Sequence, residues 1–306
     1  MQDDAKSRPR RFEPKPPWLK VKLASGESYT HLKEILRERQ LVTVCEEARC
    51  PNIGECWDTG TATFMVMGDT CTRGCRFCAV KTARKGQDLD IHEPAKIAEA
   101  VAAMNLDYVV ITSVDRDDLS DQGAGHFAET ILQTRAAHPS IITEVLIPDF
   151  RGDVDALTTL ITSLPDVIAH NIETVERLTP FVRDVRATYR QSLEVLRWIK
   201  QQDPSRYTKS ALMVGLGETE TELSQAMDDL RAVGVDILTI GQYLQPTKKH
   251  MEVKEFVTPE QFNRLQKIGE SKGFLFVASG PLVRSSYRAG EFFIKNIIEK
   301  QRKKSA

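Results

Sequence analysis

The chain has 306 residues, 41% hydrophobic and 28% charged, which suits one α/β barrel with extensions. Lys plus Arg number 42 against Asp plus Glu 43, so no net positive field argues for nucleic acid. No run approaches the ~18 continuous apolar residues of a membrane span, so neither DNA nor a membrane is expected as a partner.

Residues 1 to about 28, with Pro9, Pro14, Pro16 and Pro17, predict an extended arm. The start lacks the apolar core of a secretory signal. Asp3, Asp4 and Glu13 are unusual for an acid-poor presequence, so a cytoplasmic location is expected. The basic runs "SRPRRF" and "EKQRKKSA" read as solvated tails. "SYTHLKEILRERQL" spaces Leu32, Ile35, Leu36 and Leu41 as in a short amphipathic helix. The turn-rich stretch "TVCEEARCPNIGECWDTG" follows.

From residue 62 onward, short apolar runs alternate with segments of helical period. Strands are expected at 62–68, 107–113, 141–147, 166–172, 209–215 and 236–242. The segments "PAKIAEAVAAMN", "HFAETILQTRAAH", "TYRQSLEVLRWIKQQ" and "TETELSQAMDDLRAVG" read as the intervening helices. Six β-then-α units with buried-looking strands imply a parallel sheet, either a partial barrel or an open doubly wound sheet. In both, ligands gather at the C-terminal strand ends. Those ends carry "DTCTRGCRFC", "SVDRDDL", "AHNIET", "GLGET" and "GQYLQPTKKH". Residues 255–306 hold a helix begun by Pro259 and the run "GFLFVASG", and are expected to close the open side.

All six cysteines lie between Cys45 and Cys78. Three disulfides confined to one small segment would staple nothing that a chain of this size needs, so metal or redox chemistry is the better reading. Cys71-x3-Cys75-x2-Cys78 sits on a loop directly after the first strand, where Gly74 is expected to let the backbone curl around one centre. Three thiolates suit a [4Fe–4S] cluster, which usually takes four; with three, one iron keeps an open position for chemistry. Structural zinc is the main competitor, but its sites are closed by four ligands. Cys45-x4-Cys50-x5-Cys56 is a second triplet lacking a fourth donor.

Cys-x3-Cys-x2-Cys after the first strand, with Phe77 before the last cysteine, resembles the radical S-adenosylmethionine superfamily. That resemblance implies a partial (β/α)6 TIM-type barrel, in which the open iron chelates S-adenosylmethionine and its one-electron cleavage yields a 5′-deoxyadenosyl radical. "CEEARCPNIGECW" with "RSSY" at 284–287 closely resembles the lipoyl synthase family. So do "GDTCTRGCRFCAV", "TSVDRDDL", "HNIETV" and "GQYLQPTKKHMEV", and the likeness runs from about Thr43 to Ala289.

The resemblance implies sulfur insertion at C6 and C8 of a protein-bound octanoyl-lysine, with sulfur taken from a second, auxiliary [4Fe–4S] cluster. It implies Cys71, Cys75 and Cys78 at the first cluster, and Cys45, Cys50, Cys56 and Ser286 (less favourably Ser285) at the second. A serine oxygen is a harder ligand than a thiolate and would leave one labile corner. Thr112, Ser113, Asp115, Asn171, Glu173 and Arg186 are the expected contacts to S-adenosylmethionine, with Arg186 suited to its carboxylate. Gln245, Pro246, Thr247 and Lys248 are expected on the approach for octanoyl-lysine. His170 and His250 read as completing hydrogen-bond networks.

The implied partners are octanoylated lipoyl carrier domains (E2 subunits of 2-oxoacid dehydrogenases and the glycine cleavage H protein). A one-electron donor such as ferredoxin or flavodoxin and an iron–sulfur assembly or repair carrier complete the set. The expected division is an arm and auxiliary-cluster segment at 1–60, a barrel at 61–254 and a closing segment at 255–306. Two rival readings are a methylthiotransferase-like enzyme acting on RNA and a two-cluster electron carrier; the first expects a basic surface, and the second needs no six-unit body.

Overall fold

The computed structural model describes residues 15–21, 26–58, 63–104, 106–286 and 293–300. Most of the expected N-terminal arm, Tyr287 of "RSSY" and the final basic residues 301–306 lie outside the described residues.

Helix α1 (Glu27–Glu38) buries Leu32, Ile35 and Leu36, as their spacing predicts. Strand β1 (Val42–Thr43) and helices α2 (Val44–Glu47) and α3 (Ile53–Asp58) carry the first cysteine triplet. Strand β2 (Thr63–Val66) leads into the second triplet, whose loop is framed by the short pair β3 (Thr70–Cys71) and β4 (Lys81–Thr82).

The alternation then runs α4 (Glu93–Ala103), β5 (Tyr108–Ser113), α5 (Ala124–Ala137), β6 (Ile142–Leu146), α6 (Val154–Thr162) and β7 (Val167–Ala169). It continues through α7 (Thr179–Val182), α8 (Tyr189–Gln202), β8 (Tyr207–Val214), α9 (Glu220–Ala232), β9 (Ile237–Gln242), α10 (Pro259–Ser271) and β10 (Phe276–Gly280). Thr219 with Glu222, and Thr258 with Gln261, form capping boxes that start α9 and α10 where the sequence turns polar.

The eight-stranded sheet has the order β1-β2-β5-β6-β7-β8-β9-β10, which is chain order. Each neighbouring pair from β2 to β10 is parallel, and only β1 is antiparallel. A doubly wound sheet reverses its strand order at a switch point; this one never does, so right-handed connections put every crossover helix on the same face. The architecture is therefore the partial barrel, its edges at β1 and β10. The same-face rule applies to the crossover helices from α4 onward and not to α2, which lines a cavity at the strand ends. The run "GFLFVASG" supplies β10, a further parallel strand beside β9. Its contribution is an added barrel strand, which a run of mixed alternation did not announce.

The strand interior holds a fully buried charge pair. Lys209 Nζ lies 2.6 Å from Glu144 Oε1, and Tyr108 donates to the other carboxylate oxygen at 2.5 Å. At the N-terminal ends of the strands, Ile294 and Ile298 of the segment 293–300 pack with Ile142, Val167 and Ile237. This seals the end opposite the cysteines. No helix among the described residues is long and apolar enough to cross a membrane.

Candidate active site

A cavity of about 480 Å³ opens at the C-terminal ends of the strands. Cys71, Cys75 and Cys78 line one wall, and Cys45, Cys50, Arg284, Ser285 and Ser286 line another. Residues more than 200 positions apart thus share one void. Cys56 is half-buried on α3 and is not part of the cavity wall. Lys15, within the expected arm, also lines the cavity.

The chain enters the Cys71 loop through Met67 and Gly68, with φ of 69° and 83°. A Cβ on Gly68 would lie 2.4 Å from Gln87 Oε1, so both φ and space favour glycine. Gly74 differs from expectation. It is not in the left-handed region, and an added Cβ would meet only Asp184 Oδ2 at 3.9 Å. Its amide donates to that same Asp184 oxygen at 2.8 Å, so the loop is shaped by side-chain anchors rather than by glycine freedom.

Those anchors centre on Arg73, a buried residue between the first two cysteines. Its guanidinium meets Asp115 at 3.2 Å, Asp117 at 2.8 Å and Asp149 at 2.7 Å, tying the loop to the ends of β5 and β6. Burial and the neighbouring Asp149 and Asp117 push the Asp115 carboxyl up to about 6, against the pull of Arg73. Cys71 Sγ lies 3.6 Å from Asp115 Oδ2, and Cys75 Sγ accepts from the Asp184 amide at 3.3 Å. Arg186 holds the Asp184 carboxyl well below the usual range.

Burial pushes the thiols of Cys71 and Cys75 up to about 12 and those of Cys78 and Cys45 up to about 11, and it raises Cys50 as well. Ligation must therefore expel protons. No disulfide joins any of the six cysteines. Among the described residues, no three Cys, His, Asp or Glu side chains are grouped as around a single ion. All the thiols but Cys56 instead line a shared void, an arrangement in which thiols of one triplet can ligate different irons of a cubane. The donor set fits an iron–sulfur cluster.

The polar wall fits a cosubstrate. Ser113 Oγ, Asn171 Oδ1, Arg183 Nε and Thr239 Oγ1 are buried without a hydrogen-bond partner among the described residues, and all four residues line the cavity. What is particular to these four is that they face a cavity, where a ligand can complete their hydrogen bonds. Glu173 also lines the wall with φ of 66°, a strained conformation for glutamate, and burial raises its carboxyl. Asn171 Nδ2 donates to Glu173 Oε1 at 3.1 Å. Thr112 lines the cavity, yet its hydroxyl is already donated to Leu146 O at 2.9 Å.

Arg186 requires correction. It is absent from the cavity wall, and its guanidinium is spent on Asp184 at 2.8 Å, Asp117 at 3.1 Å and Thr72 O at 2.8 Å, bracing the cysteine loop from outside. Of the arginines that do line the cavity, Arg183, three residues earlier, stands beside Asn171 and Glu173 on its polar wall. It is buried, pairs with no carboxylate among the described residues, and donates to Ser192 Oγ at 2.7 Å. Ser192 in turn meets His170 Nε2 at 2.9 Å, and burial with the Arg183 charge lowers His170 to about 4, so this histidine is neutral. In "FVRDVRATY" both arginines look alike; only the partners of each separate them.

At the other wall, Gly241 on β9 lets the segment carrying Ser286 approach. A Cβ there would lie 2.0 Å from Val283 O. Thr63 donates its hydroxyl to Ser286 Oγ at 3.1 Å and also hydrogen-bonds Cys45. Arg284 donates to Val283 O at 2.7 Å and lies within electrostatic reach of Cys50. Gln245 and Pro246 line the cavity, whereas Thr247 and Lys248 do not. His250 bridges Thr247 and the carbonyl of Cys78 at 2.8 and 2.9 Å, a network role as expected.

Comparison with known proteins agrees with this geometry. Residues 65–230 match the model of the radical SAM superfamily, and residues 2–50 match the N-terminal domain of lipoyl synthase. A mitochondrial lipoyl synthase of Branchiostoma floridae is 58% identical over 292 residues, covering 94% of this chain and 78% of that protein. One from Culex quinquefasciatus is 59% identical over 289 residues, covering 93% and 76%.

Among solved structures, the FeFe-hydrogenase maturase HydG of Carboxydothermus hydrogenoformans shares the fold at a TM-score of 0.55 and 11% identity. That match covers 89% of this chain and 78% of the other. The RNA-acting and electron-carrier readings are not favoured by these relatives.

The cytoplasmic expectation is overturned, because the relatives are named mitochondrial. Acidic residues near the start are a weak guide, since an address is read by import machinery and leaves no mark on the fold. A superfamily model over most of the barrel, and relatives nearly 60% identical along nearly the whole chain, give one answer: the chain belongs to the lipoyl synthase family, enzymes of the radical SAM superfamily that use S-adenosylmethionine and a [4Fe–4S] cluster.

Proposed function

We propose that this chain inserts two sulfur atoms, at C6 and C8, into an octanoyl chain carried on a lysine of a lipoyl carrier domain, such as an E2 subunit or a glycine cleavage H protein. The observation that carries the proposal is the single cavity lined by cysteines of both triplets and by Ser286. In this scheme Cys71, Cys75 and Cys78 hold one [4Fe–4S] cluster, and Cys45, Cys50, Cys56 and Ser286 hold a second. When bound, these clusters and S-adenosylmethionine supply one-electron cleavage of a sulfonium and a sulfide that a carbon centre can take up.

The chain's own residues bind, orient and insulate. Arg183 receives the cosubstrate carboxylate, because its buried Nε lacks a partner and a guanidinium matches that group. Ser113, Asn171 and Thr239 complete their hydrogen bonds on its polar parts, and Glu173 and Asp115 face its positive charge. Ser286 is favoured over Ser285 because Thr63 links its oxygen to Cys45. Arg284 offsets the negative charge of the second thiol set. The apolar wall, including Leu146, Ile147 and Leu212, excludes water from the reacting carbon.

By position, residues 1–60 carry the auxiliary ligands, 61–254 the barrel, and 255–306 the serine ligand. An external one-electron donor and an iron–sulfur carrier that rebuilds the second cluster complete the system.

Anaerobically reconstituted protein is incubated with an octanoylated carrier domain, S-adenosylmethionine and dithionite. The carrier should gain the mass of two sulfurs as the dithiol, and lose two hydrogens from that gain once the dithiol is oxidised to the disulfide. Cys75→Ala should abolish cosubstrate cleavage, while Cys50→Ala should keep cleavage and lose sulfur insertion. Equal loss of both activities in the two folded variants would refute separate roles.

A further inference from the structure

The outer surface of the Cys71–Cys78 loop is built differently from its cavity side. Three segments meet there. Arg76 donates from its amide to Val182 O at 2.9 Å and from its side chain to Phe181 O at 3.4 Å, and its carbonyl accepts from the Met251 amide at 3.2 Å. The face therefore joins the cysteine loop, the end of α7 and the 247–251 turn.

Two large apolar side chains stand out on it, Phe181 at 58% exposed and Val185 at 84%. Arg76, Lys248 and Lys249 are exposed there and form no ion pair among the described residues. The neighbouring carboxylates are already matched, Asp184 to Arg186 and Glu252 to Lys254. On a chain whose formal net charge is −1, this is a local cationic rim around an apolar centre.

None of these five residues lines the cavity, so the face cannot guide an acyl chain inward. It does lie one peptide away from a ligand. The Asp184 amide that hydrogen-bonds Cys75 Sγ is followed directly by the exposed Val185, and the Cys78 carbonyl is held by His250, next to Lys249. A substrate needs an opening, whereas an electron needs only proximity.

We propose that the face formed by Arg76, Phe181, Val185, Lys248 and Lys249 docks an acidic one-electron carrier protein, which delivers its electron across the Cys75–Cys78 backbone. This rests on the assignment of Cys71, Cys75 and Cys78 to a cluster. In the transfer the carrier is oxidised by one electron and that cluster is reduced by one, with no bond made or broken at the interface. Cationic side chains around an apolar contact steer an acidic partner and set its orientation.

The test uses reconstituted holoenzyme and a plant-type [2Fe–2S] ferredoxin as the acidic probe. Calorimetry measures ferredoxin binding without turnover, and cosubstrate cleavage is measured with ferredoxin or dithionite as reductant. Binding should weaken as salt rises. Lys249→Glu combined with Val185→Glu, and separately Phe181→Glu, should each weaken it by about tenfold or more. Ferredoxin-driven cleavage should fall with it, while iron content and dithionite-driven cleavage stay at wild-type levels.

Wild-type affinity in both variants would overturn the proposal, as would loss of binding to an octanoylated carrier domain with ferredoxin binding intact. Absence of dithionite-driven cleavage in the wild type would instead count against the cluster assignment, and the calorimetric result would still read the docking face.

Discussion

A guanidinium is useful to an anionic ligand only when no protein carboxylate has claimed it. That separates Arg183, buried with no ion pair among the described residues and only the longer-range pull of Glu173, from Arg186, which is held by two aspartates. Arg183→Gln should raise the KM for S-adenosylmethionine about tenfold to a hundredfold, the worth of a charged hydrogen bond, with Arg183→Lys recovering part of it. Arg186→Gln should leave that KM nearly unchanged; a reversed ranking in steady-state kinetics would refute the assignment.

The thiols offer a second test at this scale. Their pKa values in the fold, about 11 to 12 for Cys45, Cys71, Cys75 and Cys78, lie above the ordinary value of 9.0. A group raised on folding stabilises fully below its unfolded value and loses that contribution as pH climbs toward the folded one. The metal-free chain should therefore melt at falling temperature from about pH 9 to pH 11. Cys71→Ala should flatten the trend in a calorimetric pH series. The thiols themselves were plain in the sequence, because ligand spacing is local. Their protonation was not, because burial comes from residues far along the chain.

At the scale of elements, the last turn of β9 decides whether the serine reaches its place. Gly241 leaves room for Val283 O, and a methyl group there would push the 282–286 segment away from Thr63 and Cys45. Gly241→Ala should keep cosubstrate cleavage near wild type and reduce sulfur insertion at least about tenfold, read by mass spectrometry of the carrier. Wild-type insertion, or loss of cleavage together with insertion, would contradict it.

The helices and the six central strands were readable because a 3.6-residue period and short continuous apolar runs are written within each segment. Helix α6 and strand β10 were not singled out. Arg73 was overlooked for another reason. Its three carboxylates come from the ends of two different strands, and nothing beside it in "CTRGC" announces them.

For the whole molecule, the strand order places the crossover helices on one face and leaves β1 and β10 as edges. The cysteine triplets meet at one end, while Ile294 and Ile298 seal the other. Ile298→Ala should cost about 2–4 kcal/mol of stability, seen as a lower urea midpoint. KM for S-adenosylmethionine should not change, since the two ends do not touch. A shift in KM at full occupancy of the fold would show coupling between them.

What the sequence determined alone was the chemistry of the donors and the repeating β/α body. Thiol spacing and hydrophobic period are properties of contiguous residues, and they survive without coordinates. Tertiary structure decided the rest: which arginine stays free to meet a ligand, which serine joins Cys45 through Thr63, and how cysteines of both triplets and residue 286 face one void. Those outcomes depend on competition among distant partners for the same charge, hydroxyl or space, and only folding resolves that competition.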